Sequence, residues 1–447
     1  MKTRLLISVI FLFVMIPWAK SQWTYTNLSE PKYYVGVATL GNKAYFAGGY
    51  DKITFKDKVE VYDVSTDTWD VAGSLFIARQ IIGGSASCGS KIFFAGGFDE
   101  EMSYDIVDIY DTLSKEWSVG QLSVDRFALS AISRENTVMF AGGVQFQQSP
   151  VFLNTVDLYN TETGVWTVDH LSIARMGITA TVVGDLAFFA GGIGVIDNTY
   201  KTTERVDIYN FTTKTWSQAS LSQARAFASA VTVGGKVMIA GGITEIDKPT
   251  DRVDIYDAST GIWTTALLSD PRAAIENAVV VSGKAYFVGG GNFMGGGFNY
   301  PSKVIDIYDP VHDKWTIDSL SQPLESHSVA GIGNHLVVAG GKTVGGLCVK
   351  KVEILFDSID VNVGFNSKPK ADASFSIYPN PCFNILNISV PNGKTIDEVI
   401  VYNQTGQKVL QGKQVYCNID ISKLKPGIYI IKVVTKEGNG WKKLIVE

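Results

Sequence analysis

Seven glycine doublets recur in phase along this chain. They begin at Gly48, Gly96, Gly142, Gly191, Gly241, Gly289 and Gly340, at intervals of 48, 46, 49, 50, 48 and 51 residues. Tryptophans keep step with them at Trp23, Trp69, Trp117, Trp166, Trp216, Trp263 and Trp315. Between each doublet and the next tryptophan an alternating Val/Ile-acid-apolar-Tyr run ends at Tyr62, Tyr110, Tyr159, Tyr209, Tyr256 or Tyr308, and a degenerate seventh ends at Phe356. A period near 50 built of short strands specifies four-stranded sheets arrayed about an axis.

Each part of the repeat has a physical reason. The segment before a doublet, such as 43–47 or 91–95, is apolar after its first residue and reads as a strand buried on both faces. The doublet permits positive φ and lets a neighbouring backbone come close. The alternating run reads as a half-buried strand, and the tryptophan as an apolar plug between adjacent sheets. Forty-four glycines and 11% aromatic residues fit many short strands and tight turns.

The double glycine, the spaced tyrosine and the tryptophan resemble the kelch repeat. That resemblance covers about residues 22–357 and implies an all-β fold, a seven-bladed kelch-type β-propeller. Blade one spans about 32–73. Blade seven has three strands of its own at 324–356 and lacks a following tryptophan. Trp23 is the spare outer strand, so residues 22–28 are expected to pair with 351–356 and close the last blade, removing open sheet edges.

Residues 1–21 read as a signal peptide: Lys2 and Arg4, an apolar run from Leu5 to Ile16 broken by Ser8, and a small-x-small site at Ala19-Lys20-Ser21. The run is too short to span a bilayer, and no integral membrane segment is expected after its removal. Losing Lys2, Arg4 and Lys20 leaves 36 basic against 44 acidic residues, a formal charge of −8. That balance argues against nucleic acid as a partner.

The period stops after Phe356. Residues 358–374 read as a linker, and 375–447 as a small C-terminal β-sandwich with strands at 375–378, 385–390, 398–403, 408–410, 416–420, 427–435 and 442–446. The phrases at Ile377-Tyr-Pro-Asn-Pro381, Val401-Tyr-Asn-Gln-Thr-Gly406 and Pro426-Gly-Ile-Tyr-Ile-Ile-Lys432 resemble the type A C-terminal sorting domain of the Bacteroidota type IX secretion system. The resemblance implies transit through the periplasm, contact with the type IX secretion machinery, and a secreted or outer-surface location.

The four cysteines form no Cys-x-x-Cys, and the four histidines have no metal-binding spacing. No metal and no cofactor is expected, and the ligands of a copper centre like that of galactose oxidase, another kelch-like propeller, are not visible. Cys382 and Cys417 share the tail and are a disulfide candidate in an oxidising compartment. Cys88 reads as a small buried apolar residue.

Basic residues open the inner strands: Lys32, Arg79, Arg126, Arg175, Arg225 and Arg272, with Leu324 breaking the series. The kelch resemblance places them near one mouth of the central channel, where the five arginines are candidate ligand contacts; the alternative is that each caps carbonyls or bridges blades. One strand position carries Gly36, Gly83, Ser130, Thr179, Ser229, Glu276 and Ser328, and the position before it ends in His327. Glu276 and His327 are therefore the candidate catalytic pair, or a satisfied polar pair in a wet channel. Loops after the doublets differ most, and the loop bearing Phe293, Phe298 and Tyr300 is a candidate ligand-binding site.

Two functions fit. The first is a secreted or surface binding protein that recognises a glycan or protein through one propeller face. The second is a carbohydrate-active enzyme using the central channel, such as a sugar mutarotase or epimerase; sialic acid mutarotases are kelch propellers, and Arg272 would clamp a carboxylate there.

Overall fold

The computed structural model describes residues 22–146, 149–245, 248–273, 278–293, 298–357, 375–380, 382–390, 395–413 apart from 404–407, 418–435 and 438–446. The chain divides into two compact units, Met1–Ile359 and Asp360–Glu447. The expected signal peptide and the expected linker at 358–374 lie outside the described residues.

In the first unit, β1 (Gln22–Asn27) is followed by a four-stranded antiparallel sheet: β2 (Gly36–Leu40), β3 (Lys43–Ala47), β4 (Lys58–Asp63) and β5 (Thr68–Ser74). Four more sheets of this order follow, with inner strands Ser85–Cys88, Ser130–Arg134, Thr179–Val183 and Ser229–Val233, and a sixth, with inner strand Ala278–Val281, adds Gly291–Phe293 as a fifth strand. The seventh uses Ser328–Ile332, His335–Ala339 and Lys351–Phe356, and its outer strand is β1. The register runs from Gln22 opposite Phe356 to Asn27 opposite Lys351. Each inner strand touches the next, and that of the seventh sheet touches β2, so the ring is closed.

The core lies between neighbouring sheets, which explains the continuous apolar second strands. Phe46, Phe93, Phe94, Phe140 and Phe287 have no exposed surface, because both faces of each sheet meet another sheet. Tyr62 and Phe46 of blade one pack with Val337 and Ile354 of blade seven. The tryptophans sit farther out and stitch blade to blade. Trp69 Nε1 donates to Thr26 Oγ1 at 3.1 Å, Trp117 Nε1 to Ala72 O at 2.9 Å and Trp216 Nε1 to Asp169 Oδ2 at 2.8 Å.

The doublets are fixed by two contacts at once. Gly96 and Gly97 have φ of 62° and 102°. A Cβ on Gly96 would lie 2.4 Å from Arg126 O, and one on Gly97 2.3 Å from Gln80 O. The second glycine's N–H in turn donates to the next blade, as from Gly97 to Arg126 O at 3.0 Å and from Gly49 to Arg79 O at 2.9 Å.

The second unit has one sheet of Ser376–Tyr378, Ile385–Ser389 and Asn418–Asp420, and another of Lys408–Lys413, Ile396–Tyr402, Gly427–Thr435 and Gly438–Val446. Leu386 and Ile388 of the first sheet share a buried core with Val399, Val401, Ile431, Val433 and Leu444 of the second. Cys382 is a buried free thiol whose Sγ donates to Ile385 O at 3.2 Å. The expected Cys382–Cys417 disulfide is therefore not present at Cys382, and Cys417 lies outside the described residues.

Candidate functional site

The arginines do not face the channel. Arg79, Arg126, Arg175, Arg225 and Arg272 are all fully buried. Each Nη2 donates to the acid of its own blade's third strand: Asp108 at 2.7 Å, Asp157 at 2.5 Å, Asp207 at 2.7 Å, Asp254 at 2.6 Å and Asp306 at 2.6 Å. Each also donates to backbone carbonyls; Arg79 bonds Gly96 O, Ile77 O and Phe94 O. The same carboxylate accepts a backbone N–H from the turn that leads into the inner strand, as Asp157 does from Ser123 and Asp254 from Ser222. A buried cation held this way stabilises only as part of a paired set; the Nε of Arg126, Arg225 and Arg272 has no hydrogen-bond partner, but it is buried away from any ligand in the channel. The expectation of ligand contacts at these five residues is corrected by that burial, and the positive ring is neutralised blade by blade.

Blade one solves the same problem with a shorter cation and a longer acid, Lys32 and Glu60 at 2.7 Å. Burial pushes the Glu60 carboxyl up, but Lys32 and the Ser29 N–H outweigh it and hold it below its usual value. Blade seven has Leu324 in the cation's place, and Glu353 instead accepts from Ser321 N at 2.9 Å and lies 3.6 Å from Lys351 Nζ.

His327 is likewise not in the channel. It is 1% exposed, its Nε2–H donates to Val288 O at 3.2 Å, and burial pulls it down to about 4. It is a neutral structural imidazole, not an exposed catalytic base. Glu276 lies outside the described residues. The channel cavity, about 400 Å³, is lined by Val37, Thr39, Ser87, Thr232, Val280 and Gly331, among others, and by no titratable side chain among the described residues. The small residues there serve close approach: Ser328 Oγ donates to Val35 O at 2.7 Å, and Ser133 Oγ to Ser87 O at 2.6 Å.

In an antiparallel four-stranded blade, the loop joining the second and third strands and the loop entering the first strand lie at one end. There the residue after each basic position bridges to the residue after each doublet: Tyr33 to Tyr50, Gln80 to Phe98, Phe127 to Val144, Met176 to Ile193, Ala226 to Ile243, Ala273 to Gly291 and Glu325 to Lys342. Blades three to six are mostly apolar in this belt and extend into hairpins, such as Ile193–Ile196 with Thr199–Thr202 and Ile243–Glu245 with Lys248–Pro249. These hairpins lean on one another: Phe152 packs on Tyr200 at 5.6 Å, and Thr202 Oγ1 donates to Thr244 O at 2.5 Å. In blade six, Phe293 pairs with Phe298 in the backbone, and the side chains of both lie outside the described residues. Tyr300 is 58% exposed on that hairpin.

Blades seven, one and two lack the hairpins and carry a polar, aromatic corner. Tyr33 lies 5.0 Å from Tyr34 and 5.8 Å from Tyr50, and Tyr50 stacks on Phe55 at 4.3 Å. Lys342 Nζ stands 4.5 Å over the Tyr33 ring and 3.4 Å from Glu325 Oε1. Glu325 is 2% exposed, its Oε2 has no hydrogen-bond partner, and burial raises its carboxyl despite Lys342. Ser326 Oγ and His327 Nδ1, the next two residues, are also buried without partners. Unmatched buried polar atoms are costly, and here they cluster at the blade entrance that lost its arginine.

Sequence reasoning passed over Glu325. The signal was available: in the series Tyr33, Gln80, Phe127, Met176, Ala226, Ala273, Glu325 it is the acid, directly after the break at Leu324. The acidic loop at Asp99, Glu100 and Glu101 is self-contained: Asp99 accepts from Glu101 N, Met102 N and Tyr104 Oη, and Glu100 from Tyr50 Oη. Among the described residues no cluster of three His, Cys, Asp or Glu is placed to hold a metal ion.

Family models match this architecture. The KLHDC2/KLHL20/DRC7 kelch-repeats domain matches residues 126–341, and the kelch motif matches 31–75 and 83–121. The secretion system C-terminal sorting domain matches 376–447. The chain is built of kelch repeats and ends in a sorting domain. The sorting domain implies that this kelch protein engages the type IX secretion machinery and is exported to the cell surface or beyond. Among the described residues no helix is long and apolar enough to cross a membrane.

Two further likenesses accompany these matches. The kelch protein is 27% identical over 159 residues to Beta-agarase D of Zobellia galactanivorans, covering 35% of this chain and 32% of that protein, so it spans about a third of the length of that curated relative. It also matches a solved structure titled "Structure of YjhT", with 18% identity and a TM-score of 0.49, over 75% of this chain and 97% of that one.

Proposed function

We propose that this exported kelch propeller binds a glycan through the end that carries the hairpins. The observation that supports this most is the two-sided character of that end. A wall of hairpins over blades three to six, with Tyr200 and Tyr300 exposed, faces the corner of Tyr33, Tyr34, Tyr50, Lys342 and Glu325. Aromatic rings offer faces for the C–H side of a pyranose. Lys342 offers hydrogen-bond donors, and the buried Glu325 carboxylate 3.4 Å away holds it in place. Phe293 and Phe298 belong to the same proposed surface by their place on the blade-six hairpin. A glycan array probed with the signal-free chain, wild type against Lys342→Ala and Tyr300→Ala, tests it. Retention of the same hits by both variants refutes this surface, and a blank array refutes glycan recognition.

A second reading, a carbohydrate-active enzyme, draws on Glu325 alone. A carboxyl raised by burial beside a lysine is the kind of group that donates a proton to a leaving oxygen, but at 2% exposed Glu325 reaches a substrate only if the entrance to blade seven opens. The mutarotase version with Arg272 and His327 loses both residues to burial. The likeness to an agarase over a third of that protein makes agar the first polysaccharide to incubate with wild type and Glu325→Gln. Oligosaccharide release by the wild type and not by Glu325→Gln supports the enzyme reading, and no release by either removes it for this substrate.

A further inference from the structure

The opposite end of the propeller carries a separate groove. Turns joining first to second and third to fourth strands lie there. Between blades five and six they open a cavity of about 510 Å³, lined by Lys236, Asp257 and Thr264 of one blade and Tyr308, Asp313 and Trp315 of the other. We propose that this groove is a binding site for an uncharged saccharide unit, distinct from the hairpin end and independent of it.

The argument begins with what is missing at this junction. In blades one, two and four the tryptophan indole N–H is spent on the neighbouring sheet. The indoles of Trp166, Trp263 and Trp315 make no such bond, and at Trp315 the gap is a groove rather than a seam. Its volume falls within the range of about 300–1,000 Å³ typical of small-molecule sites.

The groove is also pre-organised. Lys236 Nζ reaches across the blade boundary and donates to Tyr308 Oη at 2.8 Å, and Tyr308 Oη donates to Asp313 Oδ1 at 2.6 Å. Lys236 also lies 5.4 Å over the Tyr308 ring, and Trp315 packs 5.1 Å from that ring and 5.8 Å from Phe287. Asp257 is held by Ser259 through both N and Oγ, at 2.9 and 2.6 Å. The aromatic walls therefore stand fixed, with donors and acceptors placed around them.

The lining selects the chemistry. Two carboxylates against one lysine disfavour a phosphate, sulfate or carboxylate ligand. Ile255, Ile262 and Ala266 also line the cavity, but threonine, lysine and aspartate interrupt them, which breaks up the apolar surface an acyl chain would need. A pyranose matches, with an apolar C–H face for the indole and hydroxyls that donate and accept in turn.

The test uses the signal-free full chain labelled with 5-fluorotryptophan, with the Trp315 resonance assigned by Trp315→Phe. Cellohexaose, maltohexaose and β-1,4-galactohexaose are the probes, titrated into the millimolar range. The expected result is a saturable shift of the Trp315 signal with at least one of them. Thr264→Trp, which fills the groove, and Lys236→Met should each weaken it by about tenfold or more, the equivalent of about 1.4 kcal/mol. Lys342→Ala, at the other end, should leave it unchanged. A Trp315 signal unmoved by all three probes overturns the proposal, as does an equal shift in Thr264→Trp. Glycan-array loss in Lys342→Ala with no Trp315 shift refutes this site and leaves the hairpin-end reading standing.

Discussion

Trp23 lies opposite Leu355 in the strand pair that joins the two ends of the propeller. The indole packs against a cluster that includes Leu336, Val338 and Leu355 of blade seven and Tyr286 and Val288 of blade six. The first strand of the chain thus covers an edge that would otherwise expose unpaired N–H and C=O groups.

Trp23→Ala should destabilise the propeller by about 2–4 kcal/mol, toward the lower part of the range for truncating a large buried aromatic, because the ring is only partly buried. Deleting residues 22–28 should cost more and promote association through the uncovered edge. Urea denaturation followed by tryptophan fluorescence, with light scattering for the deletion, measures both.

The buried Arg–Asp pairs yield a second outcome. Arg175→Met alone leaves Asp207 buried beside Ser172 N and should cost about 3–5 kcal/mol. Arg175→Met combined with Asp207→Leu should recover part of that loss. A double-mutant cycle by chemical denaturation reads the coupling, and a coupling near zero contradicts the structural role assigned to the pair.

Glycine at the doublets is required for space as well as for φ. Gly97→Ala meets Gln80 O at 2.3 Å and should destabilise far more than Gly89→Ala, where φ is 59° and nothing lies within 4 Å of the added Cβ. The second change should cost about 1–2 kcal/mol, the left-handed penalty alone. Thermal unfolding of the two variants compares them directly.

His327 links stability to acidity. Its imidazole is lowered from 6.5 to about 4 by burial. The unfolded chain therefore binds more protons than the folded one between these values. The stabilising contribution is complete above pH 6.5 and is lost as pH falls toward 4, by about 3 kcal/mol in all. Glu325 acts in the other sense. Its raised carboxyl favours the folded state most below its ordinary value of 4.5 and less as pH rises through the folded value. His327→Leu should flatten the acid limb of a stability-against-pH curve, and Glu325→Gln the rise-side loss. The imidazole resonance that disappears in His327→Leu should stay neutral to pH 5, the direct check by NMR; burial lowers His335 as well, so the assignment by variant is needed.

Much of the fold was legible because a propeller repeats its contacts. The doublets, tyrosines and tryptophans each recur with their packing partner, so Trp23 without a doublet before it already marked the missing outer strand. The site was less legible. The arginines looked like a ring of cations because their partners, Asp108, Asp157, Asp207, Asp254 and Asp306, lie 29–34 residues away and meet them only when the third strand folds beside the second. His327 stood out by type, but its depth depends on Gly289 and Gly341, whose added Cβ atoms would each touch it. Glu325 was less visible because its place beside Lys342 is set only by the bridge between the strand entrance and the loop after the doublet.

The seam between Gln22 and Phe356 also imposes an order of events on an exported chain. The strand made first cannot find its mate until the residues near position 356 have been delivered, more than 300 positions later. Such long-range pairing is slow to form. A chain interrupted before residue 356 remains an unlatched crescent with two sticky ends, and only delivery of that last strand lets the circle snap shut.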